Sequence, residues 1–472
     1  MVRAAVPRAV VALCSRLQQR GHRAWIVGGC VRDLLRGAPV ADWDVATDAR
    51  PTEVLHAFRR VIPTGMQHGT VTVVMPESDG GGSYEVTTLR GETTYSDGRH
   101  PDQVVFVDDI VADLARRDFT VNAIALDPTR LDDAKPDGAL IDPFDGRGDL
   151  ARKLLRAVGK AEERFAEDGL RALRAVRFVA TLEFELDPAT AAAIRPALPT
   201  YRKVSAERVR DEWLKALKAR RPSRAFDAMR EHGLLEASAP ELVPQVGCGQ
   251  NQWHRYDVWG HALACLDSCA GDPVLRLAAL LHDVGKPSTK AFSEKANDYT
   301  FYDHERVGAE LCEPLLQRLR FSNDERARIG HLVRHHLVCY TPDWSDAAVR
   351  RWIRRIGKDR LEDLYRLNEA DVRGKDLDAE PDLGGLRELQ RRVGEVLARG
   401  EALTVRDLAV DGRVLMERLG LKPSPKLGML LERLMEEVLE EPGKNEVEGL
   451  LARAREILPE LPEEKPRRAK GQ

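Results

Sequence analysis

Residues 25–47 read WIVGGCVRDLLRGAPVADWDVAT, and their pattern decides the fold. The apolar run Trp25-Ile26-Val27 predicts a buried strand. Gly28-Gly29 turns the chain, a short helix-like piece carries Arg32 and Asp33, and Asp42-Trp43-Asp44 opens a second strand. In a strand, side chains at i and i+2 share a face, so Asp42 and Asp44 project together while Trp43 and Val45 face the other way. Two adjacent carboxylates repel unless positive charge sits between them. The usual occupant is a hard divalent cation such as Mg²⁺, with nucleotide phosphates as its remaining ligands. Paired glycines let backbone N–H groups approach a phosphate, and Arg32 supplies charge beside them. The competing reading is an edge strand with two solvated aspartates after a tight turn. The Gly-Gly turn and Arg32 upstream weigh against it.

Working outward, further strands are predicted at Ala24–Val27, Trp43–Ala46, Thr70–Met75, Tyr84–Leu89 and Ala123–Leu126. Pro51 to Phe58 reads as a helix with proline in its first turn. The N-terminus reads as an amphipathic helix with Val10, Leu13, Cys14 and Leu17 on one stripe. Residues 1–150 therefore form an α/β domain on a small mixed sheet, and from 151 onward strand signals fade into an all-α region. The chain has 472 residues, enough for several domains. Its net charge of −3 announces no global basic field, so any nucleic acid must use local patches. Seven cysteines without a C-x-x-C pair suggest reduced thiols and a cytoplasmic location. No run approaches a membrane span, and no signal-peptide pattern is present.

The opening stretch resembles the nucleotidyltransferase superfamily that includes DNA polymerase beta. Its arrangement G-G-x-V-R-D-x-L-x-G…D-x-D-x-x-T is similar to that of the bacterial tRNA nucleotidyltransferase and poly(A) polymerase family. Pro63-Thr64-Gly65 and His68-Gly69-Thr70 resemble the tRNA nucleotidyltransferases, where the poly(A) polymerases carry a basic segment. The resemblance implies CCA addition to tRNA 3′ ends from CTP and ATP, with Mg²⁺ on the catalytic residues Asp42 and Asp44. It implies nucleotide binding by Gly28, Gly29, Arg32 and Arg117, and a sugar or structural contact by Asn122 in Arg116–Ala123 (RRDFTVNA). Glu85 is either a third carboxylate or a solvated strand glutamate. Arg90–Arg99 is polar and glycine-containing, and reads as a loop. The family has a flexible loop at that place that is needed for the terminal A.

Glu167-Asp168-Gly169-Leu170-Arg171 continues into Arg174 and Arg177. On one helix, Glu167, Arg171 and Arg174 share a face, which by itself fits a salt-bridged surface helix. The E-D-x-x-R resemblance implies that Asp168 and Arg171 read the base while Arg174 and Arg177 hold phosphate, a task suited to arginine. The basic residues of 200–240 fit either an RNA backbone or solvated helix faces.

A further histidine-rich constellation occupies 254–371. Its order resembles the HD phosphohydrolase superfamily, which implies metal ligands His261, His282, Asp283 and Asp371, with His304 and His335 for a second ion. Imidazole with carboxylate suits Mn²⁺, Ni²⁺ or Fe²⁺, and such a site activates water against a phosphoester.

The expected organisation is a catalytic domain at 1–150, a helical nucleotide-selecting and RNA-binding domain at 151–240 and an HD domain at 241–375. A tRNA-binding helical region at 376–460 and a disordered tail at 461–472 follow. tRNA, CTP and ATP are the expected partners, with no membrane and no obligate protein partner. The alternatives are an A-adding or CC-adding enzyme, a poly(A) polymerase, or an HD phosphohydrolase with a nucleotide-sensing front half.

Overall fold

The computed structural model describes residues 6–91, 105–131 and 139–462. They divide into two compact units, one comprising residues up to 244 with 315–322, the other 245–314 and 323 onward. The loop expected at 90–99 lies outside the described residues from position 92, and the tail does so from 463.

The first unit is built on a seven-stranded mixed sheet. Its strands are β1 (Ala24–Val27), β2 (Asp44–Thr47), β3 (Val61–Gly65), β4 (Thr70–Val74), β5 (Ser83–Thr88), β6 (Ala125–Leu126) and β7 (Leu140–Ile141), in the order β3-β4-β5-β2-β1-β6-β7. Only β2 and β5 run parallel among these neighbours. The continuous apolar run of β1 is explained by burial on both faces. Ala24 and Ile26 join one core cluster with Trp43, Val45 and the stripe Val10, Leu13, Cys14 and Leu17 of helix α1 (Arg8–Gln19). Trp25 and Val27 join another with Ala46, Ile110 and Leu114.

Some expectations shift. The second strand starts at Asp44, so Asp42 precedes it. The strand expected from Ala123 shortens to two residues because Thr120–Asn122 closes a 3-10 turn. Strand β3 was not anticipated because it contains Pro63. It forms at the sheet edge, where a missing N–H costs no ladder bond.

The E-D-x-x-R segment is not one helix. Helix α2 (Ala161–Glu167) ends at Asp168, whose backbone is extended, and α3 (Leu170–Thr181) begins after Gly169. Gly169 is obligatory there: a Cβ would lie 2.4 Å from the Tyr201 nitrogen and 2.6 Å from the Thr200 carbonyl carbon. Gly169→Ala is expected to lower unfolding stability by about 1–3 kcal/mol, since backbone must move to admit the methyl. Urea denaturation followed by circular dichroism checks it, and an unchanged midpoint would refute the clash.

The second unit is helical apart from one short hairpin. Helix α4 (Val258–Ser268) packs on α5 (Pro273–Leu281) and on α8 (Leu361–Gly374); α6 (His304–Arg318) and α7 (Asn323–His335) lie between them in the chain. Helix α5 has leucine and alanine on nearly all sides and is buried accordingly. No described helix is long and apolar enough to cross a membrane.

Candidate active site and metal centre

In the first unit, a cleft of about 430 Å³ opens over β2 and β5, with Asp44 and Glu85 among its lining residues. The parallel register sets Asp44 directly beside Glu85. Desolvation by the cleft walls raises the Asp44 carboxyl, Glu85 adds to the rise, Arg117 opposes it and Asp42 contributes a smaller increment. Three carboxylates thus act on one place, and Arg117 does not offset the rise they and burial impose on Asp44. That imbalance, with oxygen donors alone, fits a hard cation of the Mg²⁺ type. The resemblance left Glu85 open between two roles; the sheet register brings it to the aspartate.

Arg117, Asp168, Arg171 and Arg174 all line the same cleft. Gly28 has φ +81°, and a Cβ there would sit 2.8 Å from an Arg117 guanidinium nitrogen. Asp113, buried under the cleft, accepts from Arg116 (2.6 Å) and Arg117 (3.2 Å) and so orients both. Arg171 donates to Glu167 (2.6 Å) and to the Arg164 and Arg116 carbonyls (3.1 and 2.9 Å). Arg174 pairs with buried Asp118 at 2.6 Å. Burial penalises the Asp118 charge, but Arg174 and Asn122 override it and hold the carboxyl at about 2.

Arg32, Arg177, Gly28 and Gly29 are not among the cleft-lining residues. Arg32 is spent on Asp33 (2.7 Å) and the Asn122 side chain (2.8 Å), and Arg177 is locked on buried Glu212. Both guanidiniums lie over the Phe178 ring, at 5.3 and 3.8 Å from its centroid. Each of these two arginines thus has an anion and an aromatic face beside it in the structure. Asn122 takes the structural half of its expectation, holding Arg32 and Asp118.

Sequence reasoning passed over Arg208, which bonds Asp168 at 2.6 Å, and Glu212, which neutralises Arg177 and Lys215. Both belong to the basic 200–240 stretch. There Arg220 also pairs with Glu183, and Arg224 with Glu185. Much of that positive charge is consumed internally.

The second unit gathers His261, His282, Asp283, His304, His336 and Asp371. His261 stands 3.2 Å from His282 and 3.0 Å from Asp371. Asp283 turns one oxygen to His282 (3.1 Å) and the other to His304 (3.3 Å) and His336 (3.6 Å). His282, His304 and His336 each share Nδ1 with a carbonyl three residues earlier, at 2.7, 2.6 and 2.7 Å. Donation from Nδ1 leaves the Nε2 lone pairs aimed at the centre, an arrangement typical of metal-ligating imidazoles. Burial disfavours charge on His282, yet Asp283 and Asp371 raise it to about 10. The donor set fits a transition metal.

His335, expected as a second-ion ligand, is not in this cluster. Helix α7 ends at His335, whose ring rests on His331 with centroids 4.5 Å apart. The next residue, His336, turns inward and is 2% exposed. His331 and His335, four residues apart, share one face of that helix, while His336 lies just past its end. Two further residues escaped the ligand assignment: His254 lies in ligand range of His261 and Asp283, and Lys286 reaches Asp283 at 2.6 Å.

Three family models match the chain. The Poly A polymerase head domain matches residues 24–156, a probable RNA- and SrmB-binding site of polymerase A matches 183–245, and the HD domain matches 261–363. The CCA-adding enzyme of Lactobacillus delbrueckii subsp. bulgaricus is 34% identical, over 90% of this chain and 91% of that protein. The chain belongs to the CCA-adding enzyme family. A Streptococcus pyogenes relative of the same name is 32% identical over 94% of this chain and 96% of its own length. Among solved structures, the Bacillus stearothermophilus CCA-adding enzyme in complex with CTP is 30% identical with a TM-score of 0.64. It covers 94% of this chain and 96% of that one. The Thermotoga maritima CCA-adding enzyme complexed with tRNA shares the fold at 17% identity and a TM-score of 0.54, over 95% of this chain and 94% of that one. Residues 24–156 of the first unit are thus the polymerase beta-like nucleotidyltransferase head of this family, and the helical region carries its HD domain.

Proposed function

We propose that this chain adds CCA to the 3′ end of tRNA from CTP and ATP, releasing pyrophosphate. The carrying observation is the convergence of Asp44, Glu85, Arg117, Asp168, Arg171 and Arg174 on one cleft in a member of the CCA-adding enzyme family. In this reading the tRNA 3′-hydroxyl attacks the α-phosphorus in line and pyrophosphate leaves. Asp42 and Asp44 would hold Mg²⁺, which would lower the hydroxyl pKa and offset charge on the phosphates. Arg117 and Arg174 receive the triphosphate, already oriented by Asp113 and Asp118. Asp168 and Arg171 present a polar edge to the base; their own partners hold them still, so little reorganisation is needed on binding. Catalysis then rests on positioning and charge.

We assign the catalytic head to 1–150, base selection and RNA contact to 151–240, the HD domain to 241–375 and a tRNA-binding helical region to 376–460. The cytoplasm is the expected compartment, supported by seven unpaired cysteines. The deciding experiment supplies tRNA lacking CCA with CTP, then with CTP and ATP. Two C followed by one A is expected. A long A tail, or A added only to tRNA ending in CC, would replace this reading.

Arg208→Ala is expected to leave the fold intact but free the Asp168 carboxylate. We expect kcat/KM for both nucleotides to fall by about tenfold, as for loss of one charge-assisted hydrogen bond. Single-turnover incorporation with each nucleotide checks it; unaltered kinetics would remove Arg208 from base selection.

A second activity is favoured by the His/Asp centre: metal-dependent phosphoester hydrolysis in the HD domain, with a Mn²⁺, Ni²⁺ or Fe²⁺ type ion supplying an activated water. His261, His282, Asp283 and Asp371 would hold that ion, with His304 and His336 placed for another.

A further inference from the structure

Two clefts meet at His336 and Asp371 of the HD centre, one of about 480 Å³ and one of about 340 Å³. Both are lined by His336, Leu337, Asp371 and Lys375, so two ligand residues and one ammonium lie at their junction. The larger cleft is walled by Tyr299, Phe301 and Tyr302, with Tyr302 80% exposed and Tyr299 40%. The smaller holds Tyr340. Each side is therefore lined by an aromatic side chain beyond the metal ligands, Tyr340 being half-buried with its ring edge-to-face against Trp344.

A phosphomonoester needs room for one substituent only. At a junction with space on both sides, the group that matches is a phosphate carrying a substituent in each direction. Aromatic side chains on both sides suit flat, stackable substituents, and nucleobases stack on tyrosines irrespective of their sequence. Lys375 at the meeting point, 3.7 Å from Asp382 in the smaller cleft, supplies charge for the phosphate as a compact cation. Building on the reading that this centre is a phosphohydrolase, we propose that its substrate is a linear phosphodiester between two nucleosides, one lodged in each cleft. In the reaction, water forms the new P–O bond and the P–O bond to one nucleoside breaks. The departing alkoxide takes the proton that the water gives up, leaving one nucleoside and one nucleotide.

The full chain loaded with Mn²⁺ is assayed on the dinucleoside monophosphate ApA, on AMP and on p-nitrophenyl phosphate. ApA is expected to be cleaved with kcat/KM at least tenfold above that for AMP. In parallel, ApA binding to the metal-free protein is measured by isothermal titration calorimetry. Tyr302→Ala and Tyr340→Ala are each expected to weaken that binding at least fivefold, and the double variant to weaken it by the product of the two. Circular dichroism controls for folding. Cleavage of the monoesters without ApA, or ApA binding that only one of the two substitutions weakens, would overturn the two-cleft proposal while leaving the phosphohydrolase reading standing. Hydrolysis of no ester with Mn²⁺, Ni²⁺ or Fe²⁺ would overturn both.

Discussion

Asp44→Asn is expected to abolish nucleotide incorporation while raising the stability of the fold. The loss should reach at least about 10³-fold in kcat, the scale seen when a preorganised charge at a reacting phosphate or oxyanion is removed. The gain in stability follows from the sign of the carboxyl's shift. Desolvation, Glu85 and Asp42 raise the Asp44 carboxyl above its unfolded value against the pull of Arg117. A carboxyl raised on folding is one whose charged form the fold disfavours. The penalty is fully present at neutral pH and is relieved as pH falls through the folded value. A neutral amide removes it. Incorporation assays and thermal unfolding of the same preparation test both halves. Retained activity would displace Asp44 from the catalytic role, and a lowered midpoint would show that the carboxylate is structural. Such a pairing, in which a functional residue costs the fold stability, is a common feature of active sites.

His336→Ala is expected to empty much of the HD centre of its metal, whereas His335→Ala leaves metal content unchanged. His336 offers a neutral imidazole: burial and the neighbouring His282 hold it at about 3, and its Nδ1 is engaged by the Val333 carbonyl. Removing it should lower affinity for the ion nearest His304 by more than about 10–100-fold, the range already seen when only a ligand's outer partner is lost. Metal content by plasma mass spectrometry after dialysis distinguishes the neighbours. Equal loss from both variants would return His335 to the ligand set. Nucleotide incorporation should survive either substitution, because neither residue belongs to the Asp44 cleft.

Much of the catalytic head was readable because its signals are local. Two glycines, an aspartate pair two residues apart and alternating apolar positions place themselves within a few residues of backbone geometry. The same holds for His282-Asp283, adjacent in the chain and adjacent in the centre. What the sequence did not show has a different cause. The partners of an arginine are invisible until the chain folds: Asn122 and Asp33 lie against Arg32, and Glu212 against Arg177. The Glu167–Arg171 pair was anticipated as a helix-face contact, yet it bridges two helices across the break at Gly169.

By itself, then, the sequence determined the fold class, the family, the Asp42-Trp43-Asp44 element and five of the HD centre's residues, all of them properties of short segments or of motif order. Tertiary structure alone decided the rest. Glu85 reaches Asp44 through a parallel register across 41 positions of chain. Arg208 reaches Asp168 from another helix. His336, rather than His335, enters the metal centre because a helix stops one residue short of it. In each case the deciding quantity is a contact between distant segments, set by how sheet and helices pack, which no local periodicity encodes.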